Sequence, residues 1–127
     1  MIEVDTREVR NALYARLLVC KTVILVTHKG TDPDNAASIY LMQRAITEMM
    51  PSDLEFTFEY MFVNPGKMAP SPFPAKTVVI HLDTGGRYDP INFVFDHHTN
   101  ECPYLSATDT VFQLFFDNTL KSLRNLV

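Results

Sequence analysis

The run Thr22-Val23-Ile24-Leu25-Val26-Thr27 is apolar or β-branched at every position, and His28, Asp32 and Asp34 follow it at once. A strand without polar alternation must be covered on both faces, which is the condition inside a parallel sheet. Thr77 to Leu82 reads as another buried-type strand, with Asp83 at its end. Helical stretches lie between the strands, so the chain reads as α/β, a mostly parallel sheet with helices on both faces. Ligands of such sheets collect beyond the carboxyl ends of the strands. His28 to Asp34 and Asp83 both occupy that edge and are expected to converge on one crevice.

Asp5-Thr6-Arg7-Glu8 has the form of a capping box, and Val9, Ala12, Leu13 and Leu17 continue it as a helical stripe to about Cys20. A second helix is predicted from about Asn35 to Met50, where Pro51 stops it; Ala36, Ile39, Tyr40, Met42, Ala45 and Ile46 are its packing candidates. Glu55 to Val63 alternates. Phe56, Phe58, Tyr60 and Phe62 form the side expected in the core rather than a base-stacking platform, and Glu55, Thr57 and Glu59 form a wet side. Such a strand belongs near a sheet edge. Pro65, Pro70, Pro72 and Pro74 make Asn64 to Lys76 a loop. Gly85-Gly86 and Asp89-Pro90 mark a turn before a strand from Asn92 to Phe95. Ser106-Ala107-Thr108-Asp109 can cap a last helix, predicted from Ala107 to about Leu126.

With 127 residues, 46% of them hydrophobic and 20% charged, the chain has the size and balance of one globular domain with a real core. No stretch reaches the length of a membrane span. Met1-Ile2-Glu3-Val4-Asp5 lacks the basic and apolar regions of a signal peptide, so a cytoplasmic location is expected. A net charge of −4 argues against a broad basic footprint for duplex nucleic acid. It leaves room for a phosphate site in which bound cations reverse the sign of an acidic pocket. Cys20 and Cys102 fit no metal spacing and are expected as reduced, packed thiols.

His28, His97 and His98 put three of the four histidines at two strand ends, among Asp32, Asp34 and Asp96. Packing has no need of such a concentration, whereas a pair of divalent cations does. Cleaving a phosphate ester needs a nucleophilic water, charge neutralisation and help for the leaving oxygen; two ions roughly 3.5–4 Å apart supply all three. Two dications repel, so several carboxylates are needed and at least one should bridge. A mixed imidazole and carboxylate set suits Mn2+, Fe2+, Co2+ or Zn2+ better than Ca2+. A loop can turn His28, Asp32 and Asp34 toward one point, with the two aspartates facing different ions. Asp83 is placed to bridge. His97 or His98 completes the second ion while the other faces substrate, and Asp96 is a candidate to orient an imidazole.

His28-x-x-x-Asp32-x-Asp34-x-x-x-Ser38, Asp83 and Asp96-His97-His98, in that order, resemble the motifs of the DHH phosphoesterase superfamily. That group includes RecJ-type exonucleases, nanoRNases, cyclic-dinucleotide phosphodiesterases and manganese-dependent family II pyrophosphatases. The first motif is most similar to the pyrophosphatase and nanoRNase form. Leu82-Asp83-Thr84-Gly85-Gly86-Arg87-Tyr88-Asp89-Pro90, with Asp96 thirteen residues after Asp83, looks more like the melanocyte-proliferating-gene family of RNA exonucleases. The resemblance covers roughly residues 20 to 117, and three motifs in order are far more specific than one. It implies one ion held by His28, Asp32 and Asp83, a second held by Asp34, Asp83 and His97, and His98 against the scissile phosphate or the leaving group. A bridging water would be the nucleophile. Two Mn2+ per complete site are implied, with Mg2+, Co2+ or Zn2+ as substitutes. The implied substrates are nucleotides or short single-stranded oligonucleotides, with pyrophosphate as the alternative that the first motif favours.

The superfamily usually adds a fourth motif, an aspartate some tens of residues beyond the histidine pair that ligates the second ion. Only 29 residues of the 127 follow His98, and Asp109 and Asp117 fall in the predicted last helix, where they do not match that motif. The second, substrate-binding domain common in those families has no counterpart here. The expectation is a truncated chain or a naturally minimal homologue, ending on the apolar Leu123, Leu126 and Val127. Two rival readings follow. One is a non-catalytic module that keeps one cation or a nucleotide. The other is an interaction fragment whose apolar C-terminal helix pairs in a homo-oligomer.

Several residues carry weaker expectations. Lys29 and Arg87 are candidates to hold a phosphate, or else exposed charges. Gly85 and Gly86 can bring backbone N–H groups to an anion, or form a plain tight turn. Ser38 either faces the site or has a structural role. His81 is expected as a packed histidine rather than a ligand.

Overall fold

A computed structural model describes residues 6–30 and 32–116. Helix α1 (Thr6–Leu17) leads into strand β1 (Thr22–His28), helix α2 (Pro33–Met49) and strand β2 (Thr57–Val63). Strand β3 (Thr77–Leu82), the short strands β4 (Tyr88–Asp89) and β5 (Val94–Phe95), and helix α3 (Ala107–Phe115) follow, with a 3-10 turn at Pro90–Asn92. The strands form one sheet in the order β2-β1-β3-β5-β4. β1 is parallel to β2 and to β3, and β3 is parallel to β5; β4 runs antiparallel to β5. The expected α/β, mostly parallel architecture is therefore present.

The chain leaves β1 through α2 to reach β2 on one side, then crosses back to β3 on the other. The carboxyl ends of β1 and β3 flank this switch point, where sheets of this kind open a crevice. His28 ends β1, and Asp83 directly follows β3.

Val23, Leu25, Val78, Ile80 and Leu82 face one large core shared with Val9 and Leu13 of α1, Met42 and Ile46 of α2, and Val111 and Leu114 of α3. Ile24 and Val26 face the other way, against Val63, Ala69 and Phe73. The expectation of helices on both faces is corrected: among the described residues all three helices share one face. The opposite face is covered by the loop from 64 to 76, which makes the crossover from β2 to β3. Its prolines exclude a helix, and Ala69 and Phe73 supply apolar cover instead. Ala69 N–H donates to His81 Nε2 at 2.9 Å, and Thr84 Oγ1 donates to the Lys67 carbonyl at 2.8 Å, which pins the loop to β3 and its end.

Element boundaries differ from the sequence reading for local reasons. α1 ends at Leu17 rather than near Cys20. α2 begins at Pro33 because Asp32 caps it, accepting Asp34 N–H at 2.8 Å, and proline suits the first helical position. Asp34 therefore stands on a helix, not in a loop. Ala36 and Tyr40 of α2 are exposed rather than packed. β2 is an edge strand, as expected, but its aromatic stripe divides: Phe56 and Phe58 pack on the core, while Tyr60 and Phe62 are exposed. Pro90 starts the 3-10 turn, which shortens the strand expected from Asn92 to Val94–Phe95. Asp5, Asp117 and the apolar ending lie outside the described residues, as does the end of the helix predicted to Leu126. No described helix is long and apolar enough to cross a membrane. Cys20 and Cys102 are half-buried free thiols.

Candidate metal centre

Asp83 leaves β3 with φ of 61°, a left-handed conformation that aspartate tolerates better than most residues but that still costs about 1 kcal/mol. Its N–H stays bonded to the Phe95 carbonyl at 3.1 Å, so β5 holds the backbone at the turn. The residue is 2% exposed. His28 Nε2 lies 2.9 Å from Oδ2, and His97 Nδ1 lies 3.2 Å from Oδ1. Asp83 Oδ1 and His97 Nδ1 are both buried without a hydrogen-bond partner. Burial pushes the Asp83 carboxyl above its ordinary range, with the Asp34 charge adding to that and the His28 bond opposing it.

His28 Nδ1 is 2.9 Å from the Lys29 carbonyl, which can only accept, so Nδ1 carries the hydrogen. Nε2 then faces Asp83 and, at 4.0 Å, Asp32 Oδ2. A neutral imidazole would turn a lone pair toward two carboxylates, so the arrangement requires a proton or a cation between them. Ligating histidines are held in the same way, through the ring nitrogen away from the metal. The Lys29 carbonyl raises the His28 pKa; burial opposes this, and Asp83 and Asp32 reinforce it. One atom from each of His28, Asp32 and Asp83 lies within 4.8 Å of the others, a group able to share one ion.

A second group, Asp83, Asp96, His97 and His98, meets the same spacing. Within it Asp96 is already committed. Its Oδ1 accepts His98 N–H at 3.2 Å and His98 Nδ1–H at 2.7 Å, and its Oδ2 accepts Gly86 N–H at 2.9 Å. Burial raises the Asp96 carboxyl, but the Gly86 amide and His98 outweigh it and the net shift is downward. Asp96 was expected to orient an imidazole, and its contacts are with His98 and Gly86. His98 keeps Nε2 uncommitted on a side chain that is 62% exposed.

Asp34 differs from its expectation. Its Oδ1 accepts Thr108 N–H at 2.9 Å and Thr108 Oγ1–H at 2.7 Å, and its Oδ2 accepts Ala107 N–H at 3.0 Å. It belongs to neither ligand-spaced group among the described residues, although Oδ2 stands 3.7 Å from His97 Nδ1. Burial raises its carboxyl, but the Thr108 and Ala107 donors and His97 bring it below the ordinary value. The loop ligand read from the sequence is thus a helix residue held by the first turn of α3.

The remaining candidates separate cleanly. Ser38 is fully buried and donates to the Asn35 carbonyl, a structural role. Gly86 gives its N–H to Asp96, and Gly85, at φ of 112°, packs so closely that a Cβ would meet Val94 Cγ1 at 2.6 Å. The pair serves the turn and the strand packing, and the Gly86 N–H is already taken by Asp96. Arg87 is exposed and 3.7 Å from Asp89. Lys29 is exposed at the rim beside His28. Asp109 accepts the Leu105 amide at 3.4 Å and belongs to neither ligand-spaced group among the described residues. His81 is buried and bonded to Ala69, as expected. Ala107 and Thr108 were missed; their cap motif is visible in sequence, but nothing local points to a partner 73 and 74 residues away.

The donor set could hold divalent cations: mixed imidazole and carboxylate atoms, a carboxylate common to both groups, and two buried atoms, Asp83 Oδ1 and His97 Nδ1, that face each other without a hydrogen bond. No family model, curated protein or solved structure matches this chain.

Proposed function

We propose that this chain is a metal-dependent phosphoesterase of the DHH type, acting in the cytoplasm on phosphodiester bonds of nucleotides or short oligonucleotides. The observation that carries the reading is Asp83: a buried carboxylate between two histidines from different strand ends, whose Oδ1 faces His97 Nδ1 at 3.2 Å with neither atom in a hydrogen bond. His28, Asp32 and Asp83 would hold one ion, and Asp83 and His97, with Asp34 at their margin, a second. Manganese is the proposed metal. Bound divalent ions supply charge neutralisation and an acidified water for attack on phosphorus.

The chain's own groups do the rest. His98 faces solvent with Nε2 uncommitted, so it can hydrogen-bond a phosphate oxygen or give a proton to the leaving oxygen. Asp96 fixes the opposite ring nitrogen and so the tautomer.

The deciding experiment is metal content after purification with added Mn2+, with hydrolysis of bis-p-nitrophenyl phosphate by the same sample. About two ions per chain, with turnover that Asp83→Asn abolishes, is expected. One ion and no turnover would favour a non-catalytic binding module.

A further inference from the structure

Asp34 is joined to α3 by four hydrogen bonds. Its carboxylate accepts Ala107 N–H, Thr108 N–H and Thr108 Oγ1–H, and the Thr108 hydroxyl also lies 3.2 Å from the Asp34 carbonyl. Ser106 Oγ already takes the next free amide of the helix, Asp109 N–H, at 2.9 Å. α3 thus has a local cap, and a carboxylate from the first turn of α2 completes it. Oδ1 takes two of the three donors to the carboxylate and Oδ2 takes one, leaving Oδ2 turned to His97 Nδ1 at 3.7 Å. That nitrogen is buried and has no hydrogen-bond partner.

We infer that Thr108 is a positioning residue for the second cation: it fixes the Asp34 carboxylate so that Oδ2 and His97 Nδ1 face one point beside Asp83. The inference rests on the metal reading above and extends it to a residue outside every ligand set. Carboxylate ligands are generally held by outer hydrogen bonds, and losing such a partner costs ~10–100-fold in metal affinity. The hydrogen bonds of Thr108 to this region go to Asp34 and not to His28, Asp32 or Asp83 among the described residues, so the first ion position should be indifferent to it.

The test is Mn2+ titration of wild type, Thr108→Val and Thr108→Ser, read by calorimetry and by electron paramagnetic resonance of free and coupled Mn2+. Wild type is expected to bind two ions. Thr108→Val should keep the first affinity and lose ~10–100-fold at the second, with the spin-coupled signal lost, and Thr108→Ser should restore both. Hydrogen exchange on wild type provides a reading that needs no variant to fold. Protection of the 107–110 amides should change with the second equivalent of metal and not with the first.

Equal or tighter second-site binding in Thr108→Val would overturn the inference, as would exchange at 107–110 that ignores the second ion. A wild-type chain that binds one ion would remove this role for Thr108. One that binds none would remove the metal reading itself, a distinct result.

Discussion

Asp96 and His98 form one bonded unit: Oδ1 accepts the ring Nδ1–H at 2.7 Å, while Oδ2 of the same carboxylate holds Gly86 N–H at 2.9 Å. The turn after β3 and the exposed imidazole are thereby tied to one buried side chain, which sets which ring nitrogen is offered outward.

Three donors on Asp96 mean that asparagine cannot replace it, because its NH2 would meet a donor on whichever side it occupied. Asp96→Asn is expected to lower kcat ~10–100-fold with metal content unchanged. His98→Ala should cost ~10²–10⁴ on an alkyl phosphodiester, and far less on a p-nitrophenyl ester, whose leaving group needs no proton. Equal losses on both substrates would remove the proton-transfer role.

Gly85→Ala addresses the same turn through packing. The backbone φ of 112° is unfavourable for alanine, and the new methyl would press on Val94 Cγ1 at 2.6 Å, a stiff side chain in β5. The expected loss is about 1–3 kcal/mol, read from the midpoint of urea unfolding. An unchanged midpoint would show that β5 can give way there at no cost.

The convergence of these residues was legible in the sequence because apolar runs without alternation suit a parallel sheet, and ligand-rich residues stood at the ends of two such runs. Asp83, His28 and His97 meet where that logic puts them. Other features were hidden because they depend on contacts distant in sequence. The fate of Asp34 depends on amides that only tertiary packing brings near. Tyr60 and Phe62 have the periodicity of core residues but are exposed on the edge strand. Proline content correctly marked the loop from 64 to 76, but periodicity could not reveal that this loop would stand where a helix was expected.

Buried His81 makes stability depend on pH. Burial, and then the charge of Arg87, lower its pKa from 6.5 to about 4. Between these values the unfolded chain binds a proton that the folded chain refuses, so stability falls as pH drops through that window. The full effect is at most about 3 kcal/mol. His28 acts oppositely: its raised value gives stability that is complete below its unfolded pKa and lost as pH rises through the folded one. His81→Gln keeps an acceptor for Ala69 N–H and cannot gain a charge. Its urea midpoint should therefore change less between pH 7 and pH 5 than that of wild type. Identical changes in both would mean that His81 is not the source.

Asp83 should set function against stability. In the metal-free chain its charge is buried and one oxygen has no hydrogen-bond partner, a costly state that a neutral isostere relieves. Asparagine can still offer a carbonyl oxygen to a protonated His28. Metal-free Asp83→Asn is therefore expected to be at least as stable as wild type by thermal unfolding. Adding Mn2+ should reverse the order, because a ligand at a hundred times its Kd stabilises by about 2.7 kcal/mol, and only wild type retains the shared carboxylate. If metal-free Asp83→Asn unfolds well below wild type, the carboxylate has a structural role that needs no cation. If Mn2+ raises both melting temperatures equally, the ion binds elsewhere.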